Sequence, residues 1–251
     1  METHNNGIDD EDDHLWFRIR EEARSDIKQE PFLFNYYSFS VLSHISLESA
    51  LSNHLAMKLS TPSLPIDTLS QLFIAILGDD HSIKTAIRDD LRAARERDPT
   101  CISYVHCFLH FKGFLACQAH RIARKLWSQG RSSMALLLQS RVSEVFAVDI
   151  HPRAKIGQAI LIDHATGVVI GETVVVGDNV TNLHNVTLGG TGKVSGDRHP
   201  KIGDSVLLGA GCKVLGNIRI GEAARIGAGS VVLKEVPPRR TAVGNPARVI
   251  K

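Results

Sequence analysis

Two hydrophobic periods divide this chain. From His14 to Phe146 apolar residues recur at intervals of three and four, the spacing of one face of an α-helix. Leu15, Phe17 and Ile19 lead on to Ala23 and Ile27, and Pro31 closes the run. Phe39, Leu42 and Ile45 follow in threes, then Leu47, Leu51, Leu55 and Leu59 in fours, until Thr61-Pro62-Ser63-Leu64-Pro65 breaks the pattern. A shorter segment around Leu72 to Leu77 stops at Gly78-Asp79-Asp80. The next, His81 to Arg97, halts before Asp98-Pro99, since proline disfavours helical geometry in the residue before it. The longest run, about Ile102 to Ser128, ends near Gly130, a natural helix C-terminal residue. A last helix covers about Ser132 to Val145. The pattern predicts five to seven helices.

Beyond residue 147 the period changes to six. Ile202, Leu208, Val214, Ile220, Ile226 and Val232 stand six apart, with glycine after four of them at 203, 209, 221 and 227. Small or aliphatic residues fill the fourth position after each: Val206, Cys212, Ile218, Ala224, Ser230 and Val236. The register appears earlier at Ile150, Ile156 and Ile162, and restarts two residues out of phase at Ile170 and Val176. A repeat this short predicts a parallel β-helix, in which each hexapeptide lays one aliphatic side chain inward and successive coils stack like on like. The expected organisation is an acidic solvated tail over 1–13, a helical domain over 14–147, a β-helix over 148–236 carrying an inserted loop at 189–201, and a C-terminal segment over 237–251. Pro237-Pro238 stops the strands.

Composition supports this division. All nine Phe, three Tyr and two Trp lie between Trp16 and Phe146, whereas 16 of the 20 glycines follow position 150. A narrow coil has no room for rings, and glycine turns its corners at little steric cost. The net charge of +2, without a basic block, excludes an electrostatic footprint for nucleic acid. No stretch of about 18 apolar residues predicts a membrane span. An acidic N-terminus free of Lys and Arg is unlike a secretory or transit peptide, and four sparse cysteines without a CxxC read as reduced thiols. Together these predict a cytoplasmic protein. His106 and His110, with Cys107, form a helical pair without a third ligand of matching spacing, so no metal site is expected there.

The six-residue register breaks twice, at Leu161–Gly167 and at Gly189–Lys201. Irregular segments on a rigid coil are where function is usually placed. The first break holds Asp163-His164-Ala165-Thr166-Gly167, and the second is flanked by Val186–Lys193 (VTLGGTGK) and Gly196–Gly203 (GDRHPKIG). With Val148–Pro152 (VDIHP), these motifs closely resemble the serine O-acetyltransferases, over nearly the whole chain. The repeat alone specifies only a broad acyltransferase superfamily. The resemblance implies an α+β chain whose all-α N-terminal domain precedes a left-handed β-helix, with acetyl-CoA as donor and the L-serine hydroxyl as acceptor, giving O-acetylserine for cysteine synthesis. It also implies homotrimers with active sites between subunits, joined by the helical domains into hexamers. A further implied partner, O-acetylserine sulfhydrylase, docks a C-terminal tail ending in isoleucine. This chain departs from that pattern, stopping at Arg248-Val249-Ile250-Lys251 without the longer tail.

A serine hydroxyl is almost fully protonated at neutral pH and needs a general base to attack a thioester. His164 suits that task, because an imidazole titrates near neutrality. The resemblance supplies Asp149 as the carboxylate that orients it. It assigns Arg198, assisted by His199, to the substrate carboxylate, where a guanidinium makes forked contacts. Asp163 and Asp98 match the family positions that hold the ammonium group. Gly190, Thr191, Ala210, Arg225 and Ala228 match the coenzyme positions, although relatives often carry lysine where Arg225 stands. Three other readings compete: an acetyltransferase for a sugar or antibiotic, a zinc enzyme of the γ-carbonic-anhydrase type using His164, His184 and His199, and a non-catalytic scaffold. The motif contexts do not suit zinc, and a scaffold has no use for a base and two clamps together.

Overall fold

The structure is a computed structural model that describes residues 8–192 and 195–250. Its helices, in order, are α1 (Ile8–Gln29), α2 (Phe34–Tyr37), α3 (Leu47–Leu59), α4 (Ile66–Asp79), α5 (His81–Arg97), α6 (Tyr104–His110), α7 (Lys112–Ser128) and α8 (Ser132–Phe146). α1 therefore begins inside the stretch expected to be an acidic tail; Met1–Gly7 lie outside the described residues. The run expected as one helix over 102–128 is two. Phe111 takes an extended conformation (φ −76°, ψ 97°) and breaks it. Compactness divides the chain at the same place, into one unit through His110 and another from Phe111 onward. Apolar spacing continues on both sides of the break, so periodicity alone does not reveal it.

In the first unit α3 packs on α4, burying Leu47, Leu51, Leu55 and Leu59 together with Leu69, Phe73 and Leu77. Local chemistry sets the helix ends. Ser46 Oγ accepts the Ser49 amide at 3.2 Å, and Asp80 Oδ1 accepts the Ser82 and Ile83 amides at 3.1 and 3.3 Å, satisfying N–H groups that have no intrahelical partner. Two charges enter this core as a pair: Arg88 Nη1 donates to Glu48 Oε1 at 2.6 Å, with both side chains less than a tenth exposed.

The second unit is built from α7, α8 and the strands β1 (Val148–Ile150), β2 (Lys155–Ile156), β3 (Leu161–Ile162), β4 (Val168–Ile170), β5 (Val175–Val176), β6 (Thr181–Asn182), β7 (Thr187–Gly189), β8 (Lys201–Ile202), β9 (Leu207–Leu208), β10 (Lys213–Leu215), β11 (Arg219–Ile220), β12 (Arg225–Ile226), β13 (Val231–Val232), β14 (Thr241–Gly244) and β15 (Ala247–Ile250). They wind a left-handed parallel β-helix with three walls. The first wall is β1-β4-β7-β10-β13, the second β2-β5-β8-β11, and the third β3-β6-β9-β12-β14 with β15 antiparallel at its end, so strands continue beyond Pro237-Pro238, the pair expected to stop them. All six repeat positions from Ile202 to Val232 are buried, which is why each must be aliphatic. A regular coil takes 18 residues, as from Thr187 back to Val169. The two-residue phase shift appears as the 20 positions from Val148 to Val168, and the inserted loop as the 26 from Thr187 to Lys213.

α7 closes against β3 through Gly113, where a Cβ would lie 2.0 Å from the Ile162 carbonyl oxygen, so only glycine permits this approach. One polar residue interrupts the aliphatic interior. Asn182 occupies the inward position between Ile162 and Leu208, is 4 % exposed, and neither of its amide atoms has a partner among the described residues. A buried unsatisfied polar group costs about 1–3 kcal/mol. Asn182→Leu is therefore expected to raise the urea midpoint, stabilising the chain by about 1–3 kcal/mol; a lowered midpoint would show that the amide has a partner in the assembled protein.

Two buried histidines make stability depend on acid. Burial pushes His54 down to about 4, against a weaker opposing hydrogen bond from its Nε2 to the Leu109 carbonyl at 3.0 Å. Burial, followed by the nearby Arg121 and Arg124, pushes His120 down to about 3. The unfolded chain takes up protons on these rings near the ordinary value of about 6.5, while the folded chain refuses them. Stability is thus complete above about pH 6.5 and is lost progressively as pH falls towards 4. Urea unfolding at pH 7.5, 6 and 5 should give a falling midpoint. A midpoint independent of pH over that range would contradict the neutral burial of these rings.

Candidate active site

The turns that leave the third wall stack along one edge of the prism. The Asn185 amide donates to the Thr166 carbonyl at 2.8 Å, the Gly211 amide to the His184 carbonyl at 2.9 Å, and the Gly229 amide to the Ala210 carbonyl at 2.8 Å. His164, His184, Ala210 and Ala228 consequently fall in one column. His164 and Ala165 both adopt left-handed backbone angles (φ 53° and 57°). Two such residues in succession carry strain of the kind stored at functional sites. The turn is pinned by the Gly167 amide on the Ala147 carbonyl at 2.8 Å and by Lys112 Nζ on Thr166 Oγ1. His164 is thereby presented to solvent, with its side chain 72 % exposed, its Nε2 3.8 Å from Asp163 Oδ1 and its ring edge-on to His184 at 5.7 Å.

Asp149 stands half-buried at the centre of β1, on the first wall. Its Oδ1 accepts a 2.6 Å bond from Gln139 Nε2 of α8. Among the described residues no hydrogen bond joins Asp149 to His164, so this chain does not by itself close the expected dyad.

The opposite edge of the first wall carries Arg198 and His199. Glu172 gathers two guanidiniums there, Arg198 Nη2 at 2.8 Å and Arg153 Nη1 at 2.8 Å. The Arg198 bond, then that of Arg153, holds the Glu172 carboxyl below its ordinary range. His199 is buried, and desolvation followed by the Arg198 charge lowers its ring below the usual histidine value. It packs on Gly171, where a Cβ would lie 2.3 Å from Nε2. His164 and Glu172, which holds Arg198 from the next coil, thus sit on two edges of one coil layer, separated by the three residues of β4, about 10 Å of strand at ~3.3 Å per residue.

The expected coenzyme residues also divide. Ala210 and Ala228 share the His164 column, and the exposed Arg225 lies on β12 just before it. Gly190 and Thr191 belong to the inserted loop on the other edge, with Gly190 close to Arg198 and His199. Asp98 lies in the first compact unit, where its Oδ1 accepts the Thr100 amide at 2.8 Å and the Thr100 hydroxyl at 2.7 Å. His164 and His184 meet, but no group of three or more His, Cys, Asp or Glu able to hold a metal occurs among the described residues.

Sequence reasoning overlooked Gln139, Arg153, Glu172, Thr173 and Lys112, the residues that hold the candidate site in place. Their signal was the coil length. Arg153 and Glu172 stand 19 residues apart in successive coils, and Glu172 and Arg198 stand 26 apart because the inserted loop lies between them. The pairing becomes readable only once the coil register is known.

A three-walled hexapeptide coil with an exposed histidine turn stacked over small-residue turns defines a protein of the hexapeptide acyltransferase class. Two family models match: "Serine acetyltransferase, N-terminal" over residues 15–119 and "Bacterial transferase hexapeptide (six repeats)" over 199–234. The chain is 65 % identical over 242 residues to Serine acetyltransferase 3, mitochondrial, of Arabidopsis thaliana, which covers 96 % of this chain and 62 % of that relative. It superposes with a TM-score of 0.94 on soybean serine acetyltransferase complexed with serine, at 60 % identity, covering 96 % of this chain and 99 % of that one. The serine acetyltransferase of Brucella abortus strain S19, solved in complex with coenzyme A, gives a TM-score of 0.94 at 47 % identity, covering 96 % of each chain. The chain belongs to the serine acetyltransferase family.

Proposed function

We propose that this chain transfers the acetyl group of acetyl-CoA to the hydroxyl of L-serine, producing O-acetylserine and CoA for cysteine synthesis. The observation that carries this reading is the sharing of one prism edge by an exposed histidine and a column of small turns, with an arginine–histidine clamp on the next edge. The relatives support it, being serine acetyltransferases solved with serine and with coenzyme A. Small turns at Ala210 and Ala228 let an extended coenzyme lie close to the backbone. No aromatic residue is available in this half to stack on adenine, so Gly190, Thr191 and the Arg225 charge complete its contacts.

In the proposed reaction His164 takes the proton of the serine hydroxyl as its oxygen bonds to the thioester carbonyl carbon. The tetrahedral adduct collapses, the carbon–sulfur bond breaks, and the proton passes from His164 to the departing CoA sulfur. Asp149, held by Gln139, is the carboxylate that steadies the imidazolium. Arg198 and His199 take the serine carboxylate, and Asp163 with Asp98 takes the ammonium group. Serine is far smaller than the strand that separates the His164 edge from the Arg198 edge in one chain. A homotrimer, with each site formed between neighbouring prisms, brings one copy's His164 edge to the next copy's clamp. Pairing of trimers into hexamers through the helical residues belongs to the same reading.

The test is direct. Acetyl-CoA plus L-serine should release CoA, read with a thiol reagent, and sugars or aminoglycosides should not substitute for serine. Absence of CoA release with serine, or faster release with a rival acceptor, would overturn this reading. Light scattering should report three or six times the 27.5 kDa chain mass. Four buried cysteines that form no disulfide fit a reducing compartment and support a cytoplasmic location; a mitochondrial relative makes an organelle the competing reading, and imaging a fluorescent fusion separates them. Among the described residues no helix is long and apolar enough to cross a membrane.

A further inference from the structure

Thr173 makes a closed hydrogen-bond pattern with His199. Its Oγ1 accepts the Arg198 amide at 3.1 Å and the His199 amide at 3.2 Å. Those two bonds use both lone pairs of the hydroxyl, so its single proton is left to donate. His199 Nδ1 lies in reach at 2.8 Å, and the Asp197 carboxylate, which also shares a hydrogen bond with the Thr173 side chain, is a second acceptor for that proton. The Thr173 amide also donates to Nδ1, at 3.2 Å. Two donors converge on one ring nitrogen, and a nitrogen that accepts cannot carry a proton. The ring proton therefore resides on Nε2, the nitrogen without a partner among the described residues. Nε2 faces Gly171 and Gly190, whose missing side chains leave it room: a Cβ on Gly171 would come within 2.3 Å of it, and one on Gly190 would lie 3.5 Å away.

We propose that Thr173 is a positioning residue that locks His199 as a neutral Nε2–H donor, making it a directed hydrogen-bond donor for one oxygen of the substrate carboxylate rather than a second cation beside Arg198. The charge of the carboxylate is then met by Arg198 alone, and His199 contributes direction. Protonation of His199 would set a new N–H against two converging donors, so the ring keeps this role over the working pH range. Desolvation and the adjacent Arg198 charge act in the same sense. The hydroxyl also ties the amides of Arg198 and His199 to the neighbouring coil, so a single side chain sets both the place of the clamp and the identity of its donor atom. The lock itself stands on geometry alone. Identifying the acceptor as a serine carboxylate rests on the acetyltransferase reading above.

The test separates the two. In protein labelled with ¹⁵N-histidine, long-range proton–nitrogen spectra report which ring nitrogen bears hydrogen, and His199→Asn identifies the signal by its loss. The wild-type ring is expected as a neutral Nε2–H tautomer that does not titrate between pH 6 and 8. Thr173→Val should introduce the Nδ1–H form or a titration within that window, while Thr173→Ser should keep the wild-type pattern. In steady-state assays Thr173→Val should raise KM for L-serine about tenfold or more, the scale of losing one hydrogen bond to a charged group. KM for acetyl-CoA should stay within about twofold, and Thr173→Ser should restore the serine value. A wild-type ring with its proton on Nδ1, or a Val variant whose ring spectrum matches wild type, would overturn the lock, and the wild-type spectrum decides this even if the Val variant does not fold. An intact tautomer lock in a protein that does not acetylate serine would leave the lock standing and remove the acceptor instead.

Discussion

His164→Ala is expected to slow acetyl transfer to serine by about 10²- to 10⁴-fold, the usual contribution of a positioned general base. Most of the loss should fall on kcat, since the imidazole acts on a proton that moves only in the transition state. Its side chain is largely exposed on a turn whose shape is set by backbone bonds to Ala147 and by Lys112, so truncation should leave the fold and the melting temperature unchanged. Steady-state kinetics and melting curves of purified wild type and variant check both points. A variant with wild-type kcat would remove His164 from the base role, and an unfolded variant would show that the strained turn depends on the ring. Gln139→Ala gives a graded companion measurement. It frees the Asp149 carboxylate, and a lowered kcat would place Asp149 in the same machinery.

The largest expected effect on stability lies far from the chemistry. Arg88→Met is expected to destabilise the helical unit by about 3–5 kcal/mol, because it leaves the Glu48 carboxylate buried without its partner. Removing both charges, as Glu48→Leu with Arg88→Met, should recover most of that loss, since an apolar pair of similar volume escapes the desolvation cost of two ions. Urea denaturation of the single and double variants forms a double-mutant cycle. A loss below about 1 kcal/mol in the single variant would mean that water reaches Glu48 and the pair behaves as a surface bridge. The contrast with His164 is instructive, because the buried pair should matter for stability and not for kcat, and the exposed histidine the reverse.

Much of the fold was legible in the chain because its second half obeys one simple constraint. Every sixth residue must fit a narrow interior, so Ile202 through Val232 announce their burial by type and spacing alone. The two breaks in that period were equally legible, and they locate His164 and the Arg198–His199 pair. The helical half was less so. Its period does not distinguish one helix over 102–128 from the two that form, because Phe111 interrupts the backbone without interrupting the apolar pattern. Asn182 falls six residues after Val176, where the repeat asks for an aliphatic residue, and the register with Ile162 and Leu208 shows that its amide does lie among them.

By itself the sequence determined the α-then-coil architecture, the six-residue register and the candidate catalytic and binding residue types, since all of these depend on local period and motif. Only the tertiary structure decided what lies beside what. It put His164, His184, Ala210 and Ala228 in one column and Arg198 with His199 on another edge. It gave Asp149 to Gln139, Glu172 to two arginines, and Nδ1 of His199 to Thr173. The physical reason is the coil itself. Stacking turns positions 18, 20 or 26 apart into neighbours, and which of these offsets applies depends on how the phase shift and the inserted loop are taken up in three dimensions.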